Sequence, residues 1–112
     1  MIDAHGIGEI VAAYQKHGWI LRRVLLSPAS KVVLEDAVKE VFKRVLVVDS
    51  DIDAVWFSRP PMRGGVAWEI RYLGDIPFAL LENLDEDGPD FESGLHAVEL
   101  KLGQSILAKK SA

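Results

Sequence analysis

With 112 residues the chain has room for one hydrophobic core, and 49% hydrophobic beside 27% charged residues is the composition of a folded globular domain, not of a disordered or fibrous chain. The absence of cysteine excludes a disulfide framework and a thiolate zinc site. A net charge of -4 argues against the basic footprint of a general nucleic-acid binder, and no apolar run approaches the ~18 residues that read as a membrane span.

The first predicted element is a helix over residues 3–17. Ile7, Ile10, Val11 and Tyr14 recur at helical spacing, with Glu9, Gln15 and Lys16 on the other side. Asp3 is placed to cap its start, and Gly18 stands where a terminating glycine belongs. Residues 19–26 read as a strand that is apolar on both faces, and so covered at least in part on both; Ser27-Pro28 ends it. Over 30–44, Leu34, Ala37, Val38, Val41 and Phe42 form an i, i+3, i+4, i+7, i+8 stripe, and Glu35 and Lys39 make an i, i+4 pair, so one continuous helix is predicted. Residues 45–48 read as a short strand or a buried connection, and Asp49-Ser50-Asp51 as a turn.

The stretch 52–84 organises the rest. It predicts an antiparallel meander of strands at 52–58, 66–73 and 76–83, the last two joined by Gly74-Asp75 as a tight turn in which glycine supplies positive φ. Pro77 suggests that the third strand lies at an edge. Pairing Arg59 with Val66 and Leu73 with Ile76 puts Val55, Phe57, Trp68, Ile70, Ala79 and Leu81 on one face, the expected core. The opposite face then carries Ala54, Trp56, Ala67, Glu69, Arg71, Phe78, Leu80 and Glu82. After an acidic loop at 85–90, the spacing of Phe91, Leu95, Val98, Leu102 and Ile106 predicts a final helix to about residue 109. The sum is a single α+β domain, order α-β-α-β-β-β-α. It is a four-stranded, mostly antiparallel sheet with a C-terminal β-meander and helices packed mainly on one face.

No catalytic constellation can be spelled from these residues. There is no phosphate-binding glycine loop, no serine in a nucleophile elbow, and His5, His17 and His96 lack ligand spacing. Asp49, Asp51 and Asp53 spell D-x-D-x-D, but a calcium loop begun there needs glycine sixth and glutamate twelfth, where Ala54 and Pro60 stand. A loop begun at Asn83 fails at Gly94. Catalytic residues, metal ligands and cofactors are therefore all assigned as none.

The leading candidate surface is the second sheet face. Trp56, Glu69, Arg71, Phe78 and Leu80 combine residue types that dominate interface hot spots with charge at the margin. The bland alternative is a helix covering Trp56, Phe78 and Leu80, with Glu69 and Arg71 paired beside it. A secondary candidate is the hairpin tip, where Arg59, Arg63, Gly64 and Gly65 could cradle an anion. Two functions follow. One is a protein-interaction or dimerisation module, with a homodimer or another protein as partner and no nucleic acid or membrane. The other is a small-molecule-binding protein or enzyme in which Trp56 and Phe78 sandwich a flat or anionic ligand held by Glu69, Arg71 and Arg59. The first is preferred, since no catalytic group can be named, and the expected location is cytoplasmic, with no secretory pattern in the opening residues.

Overall fold

A computed structural model describes residues 3–60 and 66–111, of which residues 37, 38 and 111 in backbone alone. Helix α1 (Ala4–Lys16) has the predicted limits. Asp3 Oδ1 accepts the Gly6 N–H at 2.8 Å, and the chain leaves the helix through Gly18 at φ 86°, the left-handed region that glycine enters without strain. Strand β1 (Ile20–Leu26) follows.

The single helix predicted for 30–44 is instead two short ones, α2 (Pro28–Val33) and α3 (Glu35–Glu40). Ser27 Oγ caps α2 by accepting the Ser30 N–H at 3.3 Å, with Pro28 in the first turn, where its missing N–H costs nothing. Leu34 breaks the helix at φ -100° and ψ 24° while turning inward, after the β-branched pair Val32-Val33, which favours the helix weakly. Leu34 and Phe42 are buried anchors all the same, so the ends of the apolar stripe were read correctly although the helix between them is interrupted.

Four further strands, β2 (Leu46–Asp49), β3 (Ala54–Arg59), β4 (Val66–Tyr72) and β5 (Ala79–Leu84), precede α4 (Phe91–Ser111). They join β1 in a mixed sheet of order β2-β1-β3-β4-β5, in which β1 and β2 are parallel and every other pair is antiparallel. The fold is α+β with five strands, which corrects the four-stranded expectation. The α2–α3 segment is long enough to serve as the crossover that a parallel pair requires, and residues 45–48 supply most of the added strand.

Helices also lie on both faces, which corrects the one-sided expectation. Ile7, Val11, Leu34 and Phe42 pack with Val24, Leu26, Val55, Phe57 and Leu73 on one side. Leu95, Val98, Leu102 and Ile106 of α4 pack with Leu25, Ala54, Trp56, Trp68, Ile70 and Tyr72 on the other. The cause is central β3, buried at five successive residues from Ala54 to Ser58, which no single layer of helices can cover. No helix among the described residues is long and apolar enough to cross a membrane.

The register differs from the expected one by a single residue in both hairpins. Arg59 faces Ala67 and Trp56 faces Ile70, while Ile70 faces Leu80. A slip of one exchanges the faces, and here it brings Trp56, Trp68 and Ile70 together beneath α4, the two indoles edge to face at 6.1 Å. Burying both indoles under one long helix sends charged Glu69 and Arg71 to the other, less covered side.

The β4–β5 connection is wider than a two-residue turn, and the Tyr72 N–H donates to the Phe78 carbonyl at 2.8 Å. Gly74 is not at positive φ. Its missing Cβ instead lets the Tyr72 ring lie against the backbone, where Tyr72 Oη receives Lys110 Nζ at 3.3 Å. Gly74→Ala must displace that buried ring and should cost about 1–3 kcal/mol, the usual penalty of overpacking. A melting temperature equal to wild type in a thermal scan would contradict it.

Candidate functional site

The helical layer on the α1 side ends over β4. α1 packs on β1 and β3 and reaches Glu69 through Tyr14, and among the described residues no side chain of β5 joins that layer, although six residues of β4 and β5 point the same way. These are Ala67, Glu69 and Arg71 on β4, and Ala79, Leu81 and Asn83 on β5. The β5 trio is exposed, Leu81 to 62%.

Tyr14 marks the border between the covered and open halves. Its ring stacks on Phe57 at 4.1 Å with a 5° tilt, and its hydroxyl donates to Glu69 Oε2. Burial, then the Glu69 carboxylate, push the phenol well above its ordinary pKa, with Arg71 pulling weakly the other way. The proton therefore stays on Tyr14 at any physiological pH. Arg71 donates from Nη1 to the Tyr72 carbonyl, so both charged side chains are anchored at the border of the open half.

The five residues expected to share a face are divided by the register. Trp56 has no exposed surface; it lies under α4 and donates from Nε1 to Glu99 Oε2 at 2.9 Å. Phe78, with Lys109 Nζ over its ring at 5.1 Å, and Leu80 are half-buried on that same α4 side. Glu69 and Arg71 lie on the other face. The covering helix considered as the bland alternative therefore exists for Trp56, Phe78 and Leu80, and Trp56 has no surface to offer a ligand. Of the hairpin tip, Arg59 is exposed and lies over the Trp19 ring at 4.7 Å, while Arg63, Gly64 and Gly65 fall outside the described residues.

Leu81 and Tyr14 were missed as site residues. Leu81 was assigned to the core by the slipped register, and Tyr14 had only its helical spacing to speak for it. In a regular strand Arg22 and Arg23, as neighbours, would face opposite sides of β1. A β-bulge there sets both against the α4 side, because Leu21 pairs with Phe57 and Arg23 with Trp56, leaving Arg22 as an added residue. Arg22 lies over the Trp68 ring at 4.8 Å, donates to Ser58 Oγ at 3.0 Å and pairs with Glu86; Arg23 grips Glu92 through both terminal nitrogens at 2.9 and 3.0 Å. Two adjacent arginines in a strand that is otherwise apolar on both faces were the available sign of the bulge.

Other clusters are committed to internal contacts. A cleft of about 530 Å³ opens beside α4 near Ile52, Tyr72 and Leu107, but Glu99 on its wall holds Trp56, and Lys110 holds Tyr72 and Asp75. The first and third members of D-x-D-x-D are separately engaged: Asp49 pairs with Lys31, and Asp53 accepts from Ser27 and Ser30. No group of three or more metal-ligating side chains occurs among the described residues. Compared with known protein families, curated proteins and solved structures, the chain matches none.

Proposed function

We propose that the chain is a protein-interaction module whose docking surface is the open β4–β5 half of the sheet. The observation that carries this reading is a half-covered face: one helical layer ends at Tyr14, and beyond it Leu81 is 62% exposed beside the anchored Glu69 and Arg71. An apolar centre rimmed by fixed charges is the usual anatomy of a docking surface, and an arginine held in place loses less entropy when a partner arrives. Of the predicted site residues, Glu69 and Arg71 keep their place in this reading; Trp56, Phe78 and Leu80 act from beneath, as the packing that holds the sheet flat against α4.

Leu81→Arg tests it, because the substituted side chain has solvent space and leaves the core untouched. Leu107→Arg, at an equally exposed position on α4, is the control. Association measured by sedimentation, of the protein with itself or with the proteins it retains on a column, should be lost in Leu81→Arg and kept in Leu107→Arg. Identical behaviour of both variants and wild type would remove the open half-face as the docking surface.

A further inference from the structure

We infer that the partner received at this surface is a second copy of the chain, joined strand to strand through β5 in an antiparallel pair centred on Leu81; this rests on the docking surface proposed above. The phase of the β4–β5 ladder supplies the argument. The Tyr72 N–H donates to the Phe78 carbonyl, and the register runs on through Ile70 with Leu80 and Trp68 with Glu82, so these are the hydrogen-bonded pairs. The alternate residues of β5, Ala79, Leu81 and Asn83, therefore turn their N–H and C=O groups away from β4. All three residues are exposed, and no hydrogen bond reaches those backbone groups among the described residues. Such a row is a ready template for an extended strand.

Self-pairing satisfies the row in one register better than in its neighbours. Centred on Leu81, the strand places Ala79 against Asn83 of the second copy, Leu81 against Leu81, and Asn83 against Ala79, so every free donor and acceptor is met. Centred on Leu80, Asn83 would face Pro77, which has no N–H to give. Centred on Glu82, that carboxylate would face its own copy, a repulsive pair. The favoured register also buries Leu81 against Leu81 on the open face and moves Glu82 opposite Leu80 on the α4 side. There α4 presents Gly94 and Ala97 beside β5, small enough to admit the second copy, and Lys101 lines the same groove as Glu82. Neither Lys101 nor Glu82 makes an ion pair among the described residues. The other sheet edge is a poorer template: β2 has four residues and its end is engaged by the Lys31–Asp49 pair.

The natural absence of cysteine makes the test direct, because a single introduced thiol reports one position. Light scattering on the wild-type protein should give the mass of a dimer. A short bis-maleimide should then join Leu81→Cys to itself, at a backbone separation of about 5.5 Å for a hydrogen-bonded pair. Leu46→Cys, exposed on the opposite edge, should yield less covalent dimer by about tenfold or more, since only the paired position has the effective concentration of a tethered neighbour. A mixture of Ala79→Cys and Asn83→Cys should cross-link more than either alone, which reads the same register should the change at Leu81 loosen the pair. A monomeric wild type overturns the inference while leaving the docking surface to the Leu81→Arg comparison. A dimer that cross-links through Leu46→Cys, or through none of these positions, overturns it as well.

Discussion

Trp56→Ala should cost about 3–5 kcal/mol of folding stability, the range for truncating a large buried aromatic whose site cannot collapse. Trp56 is fully buried in the central strand, meets Trp68 edge to face at 6.1 Å, and shares its cluster with Leu95, Val98 and Leu102 of α4. A sheet on one side and a long helix on the other leave little freedom to close the gap. The loss has a polar part too: the indole N–H is the donor to Glu99, whose side chain is only 18% exposed. Trp56→Phe separates the two parts. It keeps most of the ring and removes the donor, so about 1–3 kcal/mol is expected for the stranded carboxylate and the smaller ring together. Urea unfolding provides the measurement, with the midpoint falling and the slope unchanged. A Trp56→Ala variant within about 0.5 kcal/mol of wild type would behave like a surface substitution. Trp56 would then be exposed, and the hairpin would carry the register in which Arg59 faces Val66. The experiment thus reads the register on which every face assignment depends.

What the sequence made legible, and what it did not, follows from the range of the physics involved. The limits of α1 are written in Asp3 and Gly18, residues whose capping roles are local. The stripe from Phe91 to Ile106 is likewise a local period, and α4 buries its members from Leu95 onward. The faces of the meander are not local. They turn on whether the loop after Arg59 holds six residues or seven, a choice that changes no turn residue and no strand composition. It is settled by the total burial of Trp56, Trp68 and Ile70 beneath a helix that begins more than twenty residues later. The bulge at Arg22 has the same character, since it can be placed only once Trp68 and Glu92 are known to approach from one side. For this reason two of the five candidate residues, Glu69 and Arg71, still share a face, apart from the other three. Glu69 and Arg71 were read as marginal charges, which holds on either face, whereas Trp56 and Leu81 exchanged roles completely when the register moved by one.

Asp53→Ala should be the most damaging single change among Asp49, Asp51 and Asp53, although the sequence presents Asp53 as one of three equal aspartates. Its Oδ1 accepts the Ser27 N–H at 2.8 Å and its Oδ2 accepts the Ser30 hydroxyl at 2.7 Å, while its own carbonyl receives the Leu73 N–H at 2.8 Å. One residue thereby ties the start of β3 to the first turn of α2 and to the end of β4. Ser30 is 3% exposed, so truncation leaves its hydroxyl in the interior without a partner and frees the Ser27 N–H beside it. At about 1–3 kcal/mol for each stranded group, a total near 2–4 kcal/mol is expected. Ser30→Ala removes one of those groups outright, so the Asp53→Ala, Ser30→Ala double variant should cost less than the two single costs added, by about 1 kcal/mol. Asp49→Ala gives up only an exposed pair with Lys31, worth at most about 1 kcal/mol, and Asp51→Ala should stay within about 0.5 kcal/mol of wild type. Equal losses at all three aspartates would mean that they act together, as a shared site requires. A loss concentrated at Asp53 means that the triplet is a brace for the β1–α2 corner and two solvated neighbours, which is what its hydrogen bonds describe.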